Sequence, residues 1–169
     1  MEFKILYQEL TQSTEIIRTL LVGISQEESQ KKSQPNAWSI LELLCHLYDE
    51  EREDFRARLA LILERDKKEW PGIDPQNWVT MRKYNQQDFI ATQANFFEER
   101  KKSLDWLKSY VKANWDISYT SPFGTMTAGD MFASWIAHDN LAIRQFVELR
   151  RSRIEEITKP YDITYAGDW

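Results

Sequence analysis

Four long stretches of this chain repeat apolar residues at steps of three and four, which commits each of them to an amphipathic helix. The first runs from about Phe3 to Val22, where Phe3, Leu6, Tyr7, Leu10, Thr14, Ile17, Leu20 and Leu21 form one stripe before Gly23. The second starts at the best-marked boundary in the sequence, Trp38-Ser39-Ile40-Leu41-Glu42-Leu43. Ser39 can accept from the Glu42 amide while Glu42 reaches back to the Ser39 amide, and Trp38 and Leu43 take the flanking staple positions. This helix is expected to continue to Glu64 or Arg65, with Pro71 and Pro75 beyond its end. The third runs from about Tyr84 to Lys112, with Phe89, Phe96, Phe97, Leu104, Leu107 and Val111 on one side. The fourth follows a Pro122-Phe123-Gly124 turn and begins at Thr127-Ala-Gly-Asp130, a second capping pattern. It carries Met131, Phe132, Trp135, Ala142, Phe146 and Leu149 inward and ends near Arg151–Ile154.

Only five Gly and five Pro occur in 169 residues, about half the roughly 12% of average usage. Few turn residues, 42% hydrophobic content and the four stripes together predict an all-α fold, a four-helix bundle with long inter-helix loops. Its length fits one domain spanning residues 1–169. The closing segment ITKPYDITYAGDW is expected to pack on the bundle, since Tyr161, Tyr165 and Trp169 gain nothing from exposure. A charge of −5, from 22 basic against 27 acidic side chains, argues against a nucleic-acid partner. Arg150, Arg151 and Arg153 are interrupted by Glu148, Glu155 and Glu156 and read as a solvated helix end. The single cysteine, Cys45, cannot form an intrachain disulfide and points to a reducing compartment. No apolar run has the length of a signal core or a membrane span, so a cytoplasmic location is expected. A small-molecule ligand and a homodimer are the partners this composition suits, the dimer because of the aromatic excess.

Functional residues in a bundle project inward from facing helices, so polar side chains on the inner faces carry the argument. With Ile40 as zero on a helical wheel, the apolar centre of the second helix falls near 30°, His46 at about 240° and Glu50 at about 280°. His46 and Glu50 thus share one face at the core margin. With Met131 as zero, the fourth helix centres near 70°, with His138 at about 340° and Asp139 at about 80°. These are the only two histidines. The plain reading of either is a core imidazole hydrogen-bonded to an acid. Two in register also suit zinc, nickel or iron. A catalytic zinc needs three protein ligands and an open position, and spacing offers Glu50 as the third. Arg100 and Asp139 both face the interior and are expected to form an ion pair, because an unpaired buried charge is costly. Glu42 and Glu53 read as capping or solvated residues. Cys45 points about 100° away from His46, so it reads as a small buried apolar residue rather than a nucleophile.

These residues resemble the DinB-like (YfiT-type) superfamily. The likeness rests on Trp38-Ser39, Glu42, His46-Leu47 and Glu50, then AGDMFASWIAHDNLAIRQFVELR, and covers nearly the whole chain. The WPGID loop, the FFEERKKSLDWL segment containing Arg100 and the AGDW ending belong to it as well. The resemblance implies a four-helix bundle, often dimeric, that holds a divalent metal such as zinc or nickel with three histidines. One comes from the second helix and two from an H-x3-H pair on the fourth. It implies metal-dependent hydrolases, or transferases that use low-molecular-weight thiols such as bacillithiol or mycothiol. By position, His46 matches the first ligand, His138 the second, and the third falls on Ala142, which has no donor atom. Losing a ligand removes several kcal/mol from binding energies of about 10–16 kcal/mol. Two readings follow. In one, the chain is a degenerate member with weak or absent metal binding and a small-molecule or dimerisation role. In the other, His46, His138 and Glu50 hold a divalent metal in a hydrolase or thiol transferase. The missing histidine favours the first.

Overall fold

The computed structural model describes residues 2–65, 69–121 and 124–167. In chain order the helices are α1 (Phe3–Leu20), α2 (Gln26–Ser29), α3 (Ile40–Glu50), α4 (Arg56–Leu63), α5 (Pro75–Met81), α6 (Phe89–Lys108) and α7 (Ala128–Ile157). A π-helical turn, Glu51–Phe55, joins α3 to α4, so the two form one rod. Four rods make the bundle: α1 lies against α7 and α6, and α3 lies against α6 and α7.

Helix starts sit where local hydrogen bonding puts them. Ser39 Oγ accepts from the Glu42 amide at 3.1 Å and Glu42 Oε2 accepts from the Ser39 amide at 2.9 Å, the expected reciprocal cap. Glu42 is therefore a capping residue, paired also with Lys32 at 2.8 Å. Thr127 and Asp130 close the same box at the start of α7. The helix α6 begins at Phe89, later than the expected Tyr84, because Asp88 accepts from the Ala91 amide at 2.7 Å. Residues Tyr84–Gln86 form a separate 3₁₀ turn after Lys83, whose φ of 50° interrupts the helix. Since α6 ends at Lys108, Val111 lies past it and is 55% exposed, not in the core as its spacing suggested. The loop before it is shortened by α5, which has Asp74 as its cap and Pro75 in its first turn. An antiparallel hairpin, β1 (Ser118–Ser121) and β2 (Gly124–Thr127), precedes α7 and pairs Tyr119 with Met126. The expected Pro122-Phe123-Gly124 turn falls partly outside the described residues.

The tail departs from expectation. Tyr161 is 80% exposed and Tyr165 fully so, so this segment does not pack on the bundle as far as residue 167; Trp169 lies outside the described residues. Among the described residues no helix is long and apolar enough to cross a membrane.

The core divides into two apolar clusters. One contains Ile17, Leu41, Leu44, Phe96, Ala142 and Phe146; the other contains Leu10, Phe55, Leu59, Leu107, Phe132 and Trp135. Between them every rod contributes buried polar groups at matching height: Thr14 from α1, Glu50 and Glu51 at the end of α3, Arg100 from α6, and Asp139 from α7. His46 and His138 stand at the edge of this layer. A π-turn adds a residue to the helical repeat and often marks a functional site; here it begins at Glu51, inside the layer.

Candidate metal centre

The structure brings His46, Glu50 and His138 together. His46 and Glu50 lie one turn apart on α3 and His138 lies on α7. The two Nε2 atoms are 3.3 Å apart. Glu50 Oε2 lies 3.1 Å from His138 Nε2 and 3.5 Å from His46 Nε2. Four ligands placed tetrahedrally at 2.0–2.1 Å from a cation are about 3.3 Å from one another, so this triangle has the dimensions of one face of such a shell.

Burial sets the protonation of all three groups. His46 is pushed down to about 3, by burial first and by the adjacent His138 second, with Asp49 opposing. Burial also lowers His138, against the pull of Asp139. Both imidazoles are neutral at pH 7, the form that ligates. Glu50 is pushed up to about 8, by burial and then by Asp54, with Arg58 opposing. Its carboxyl holds a proton near neutrality, and ligation has to displace it. Aromatic rings fix the imidazoles: Trp38 packs edge-on against His46 at 4.7 Å between centroids, and Phe55 lies 5.0 Å from His138. Among the described residues His46 Nδ1 is buried without a hydrogen-bond partner, whereas metal-bound histidines usually donate from the second nitrogen. His138 is the open side, with 24% of its side chain exposed.

Arg100 and Asp139 form the expected ion pair, with Nη1 and Nη2 donating to the two Asp139 oxygens at 2.6 and 2.9 Å. The sequence reading passed over the third member. Glu51 is 1% exposed, accepts from Arg100 Nε at 2.9 Å, and accepts from Trp135 Nε1 at 3.2 Å. Its signal was present: on the same wheel Glu51 falls at about 20°, in the middle of the apolar stripe. Burial raises its carboxyl, with Arg100 opposing. Glu53 instead faces outward between Arg52 and Arg82.

Cys45 is 4% exposed with its Sγ 3.7 Å from the Tyr84 carbonyl oxygen, away from the triangle. Burial pushes its thiol up to about 12, with a Thr92 hydrogen bond opposing. The thiolate is the reactive form. Iodoacetamide is therefore expected to label native protein at pH 8 at least about 1,000-fold more slowly than urea-unfolded protein, whose thiol sits near 8.5. Mass spectrometry of timed quenches measures this; comparable rates would place Cys45 in a reactive setting.

A helical bundle with a buried polar layer and a histidine–carboxylate triangle at its edge is thus the class of protein the geometry defines. The chain belongs to the DinB superfamily, whose family model matches residues 9–146. Among solved structures it is similar to YfiT from Bacillus subtilis, described as a probable metal-dependent hydrolase with an unusual four-helix bundle topology. That likeness has a TM-score of 0.76 at 14% identity and covers 88% of this chain and 86% of YfiT. At that identity it establishes the fold. Comparison with curated protein sequences gives no match.

Proposed function

We propose that this DinB-superfamily chain is a divalent-metal-dependent hydrolase or thiol transferase, with His46, Glu50 and His138 as the metal ligands. The observation that carries the reading is the triangle of 3.1, 3.3 and 3.5 Å between their ligand atoms. The donors suit the group: two neutral imidazoles and one carboxylate are a recognised catalytic zinc set. In family terms Glu50 takes over from the histidine absent at Ala142. A cation held here supplies Lewis acidity, which lowers the pKa of a water or thiol enough to make it nucleophilic near pH 7. The protein's part is positional. Trp38 and Phe55 pack against the two rings, and His138 is the most exposed of the three ligands. Trp38 also walls, with Leu43, Gln145 and Leu149, a cavity of about 230 Å³ that none of the three candidate ligands lines.

Elemental analysis of purified protein, followed by zinc or nickel titration against melting temperature, tests this. Stoichiometric metal is expected, with about 2.7 kcal/mol of stabilisation at a hundredfold excess over Kd, or roughly 5–10 °C. His46→Ala and His138→Ala remove the shift. Protein without metal and with an unchanged melting temperature leaves the degenerate reading, a bundle acting as a binding or dimerisation module. The donorless Ala142 and the unpartnered His46 Nδ1 favour that second reading.

A further inference from the structure

Two of the three metal-ligand candidates are followed directly by an acid: Glu50 by Glu51, and His138 by Asp139. Both acids are held by one guanidinium. Arg100 reaches Glu51 through Nε at 2.9 Å and Nη2 at 2.8 Å, and reaches Asp139 through Nη1 at 2.6 Å and Nη2 at 2.9 Å. Successive side chains on a helix diverge by about 100°, so one residue of each pair can face the guanidinium while its neighbour faces the triangle. A rigid planar fork fixes direction as well as distance. All three side chains are no more than 1% exposed, and Thr14 Oγ1 lies 3.4 Å from Nη1 on a fourth side.

We infer that Arg100 is the positioning residue of the candidate centre: by clamping Glu51 and Asp139 it sets the height and rotation of α3 against α7 at which Glu50 and His138 meet. It touches none of the three ligand atoms and acts through the backbone of their neighbours. The identity of the group gathered there as a metal centre rests on the proposed function; the gathering itself does not. His46, which has no partner at Nδ1 among the described residues, packs against Trp38, so the clamp governs only the other two corners.

The test compares R100K, D139N and E51Q with L107A, a core truncation seven residues along α6 from Arg100, in the apolar cluster that contains Leu10, Leu59 and Phe132. In metal-free protein, rings with Nε2 atoms 3.3 Å apart give a cross-ring nuclear Overhauser effect. That signal is expected in wild type, L107A and E51Q, and lost in R100K and D139N. With Co²⁺ as the probe, R100K, D139N and E51Q are expected to bind 10–100-fold more weakly, the usual loss when the support of a ligand is removed, with altered visible d–d bands. L107A lowers the melting temperature while leaving both signals in place. Unchanged ring contact and Co²⁺ affinity in R100K and D139N overturn the inference, as does an equal loss in L107A at equal destabilisation. If R100K does not fold, D139N and E51Q decide. Wild-type protein that shows the ring contact and takes up no Co²⁺ removes the metal reading, and the ring contact in D139N still judges the clamp. Wild type without the ring contact refutes the clamp.

Discussion

Arg100→Leu is expected to lower the stability of this protein by about 3–5 kcal/mol, the cost of leaving buried charge uncompensated. Glu51 and Asp139, both at most 1% exposed, would face each other across the bundle with no cation between them. For a chain of this length that loss lowers the melting temperature by roughly 6–20 °C. Urea unfolding followed by circular dichroism measures it, and a change below about 1 kcal/mol would mean that water or relaxation already supports the two acids. The sharper form of the prediction is non-additive. Replacing all three members with apolar residues of similar size, as in E51M/R100L/D139L, removes the charges together and is expected to recover most of the loss, because such a triad contributes little net stability over a packed apolar core. The folded triple variant would then have lost the clamp and kept the bundle.

Ala142→His gives the second large effect, opposite in sign with and without metal. Residue 142 lies one turn beyond His138 on the same face of α7 and is 2% exposed in the apolar cluster with Ile17, Leu41 and Phe146. An imidazole there overfills the core, so the metal-free variant should lose about 1–3 kcal/mol. In zinc the added donor should raise affinity at least about 100-fold, or about 2.7 kcal/mol of extra stabilisation. Melting curves in zinc and in EDTA, for A142H and wild type, read the difference directly. The double variant H46A/A142H should lose most of the gain, since the new histidine needs its partner. Equal zinc stabilisation in A142H and wild type would show that residue 142 does not face the centre, and the Glu50-for-histidine exchange would go with it.

How much of the site could be read before any coordinates follows from which contacts are local. His46 and Glu50 were readable as a pair because one helical turn relates them. Arg100 and Asp139 were readable because each breaks an apolar stripe. Glu51 breaks a stripe too, yet it stands in a run of acids from Asp49 to Glu51, where a solvated face is the ordinary expectation. The π-turn, Arg100 and the Trp135 indole explain its burial. The tail misled for a different reason: aromatic content predicts burial on average, and Tyr161 and Tyr165 are exposed.

The amino-acid sequence by itself determined the four rods, their capped beginnings at Ser39 and Thr127, and which polar side chains would have to be housed inside. Caps and stripes depend on residues three or four apart, whose relative placement the helix dictates. The tertiary structure alone decided that imidazoles 92 positions apart meet at 3.3 Å, that Glu50 completes their triangle, and that one arginine holds the two acids beside it. Those outcomes depend on how far each rod slides and turns against its neighbours, which is set by the packing of the whole core and has no counterpart in any short stretch of chain.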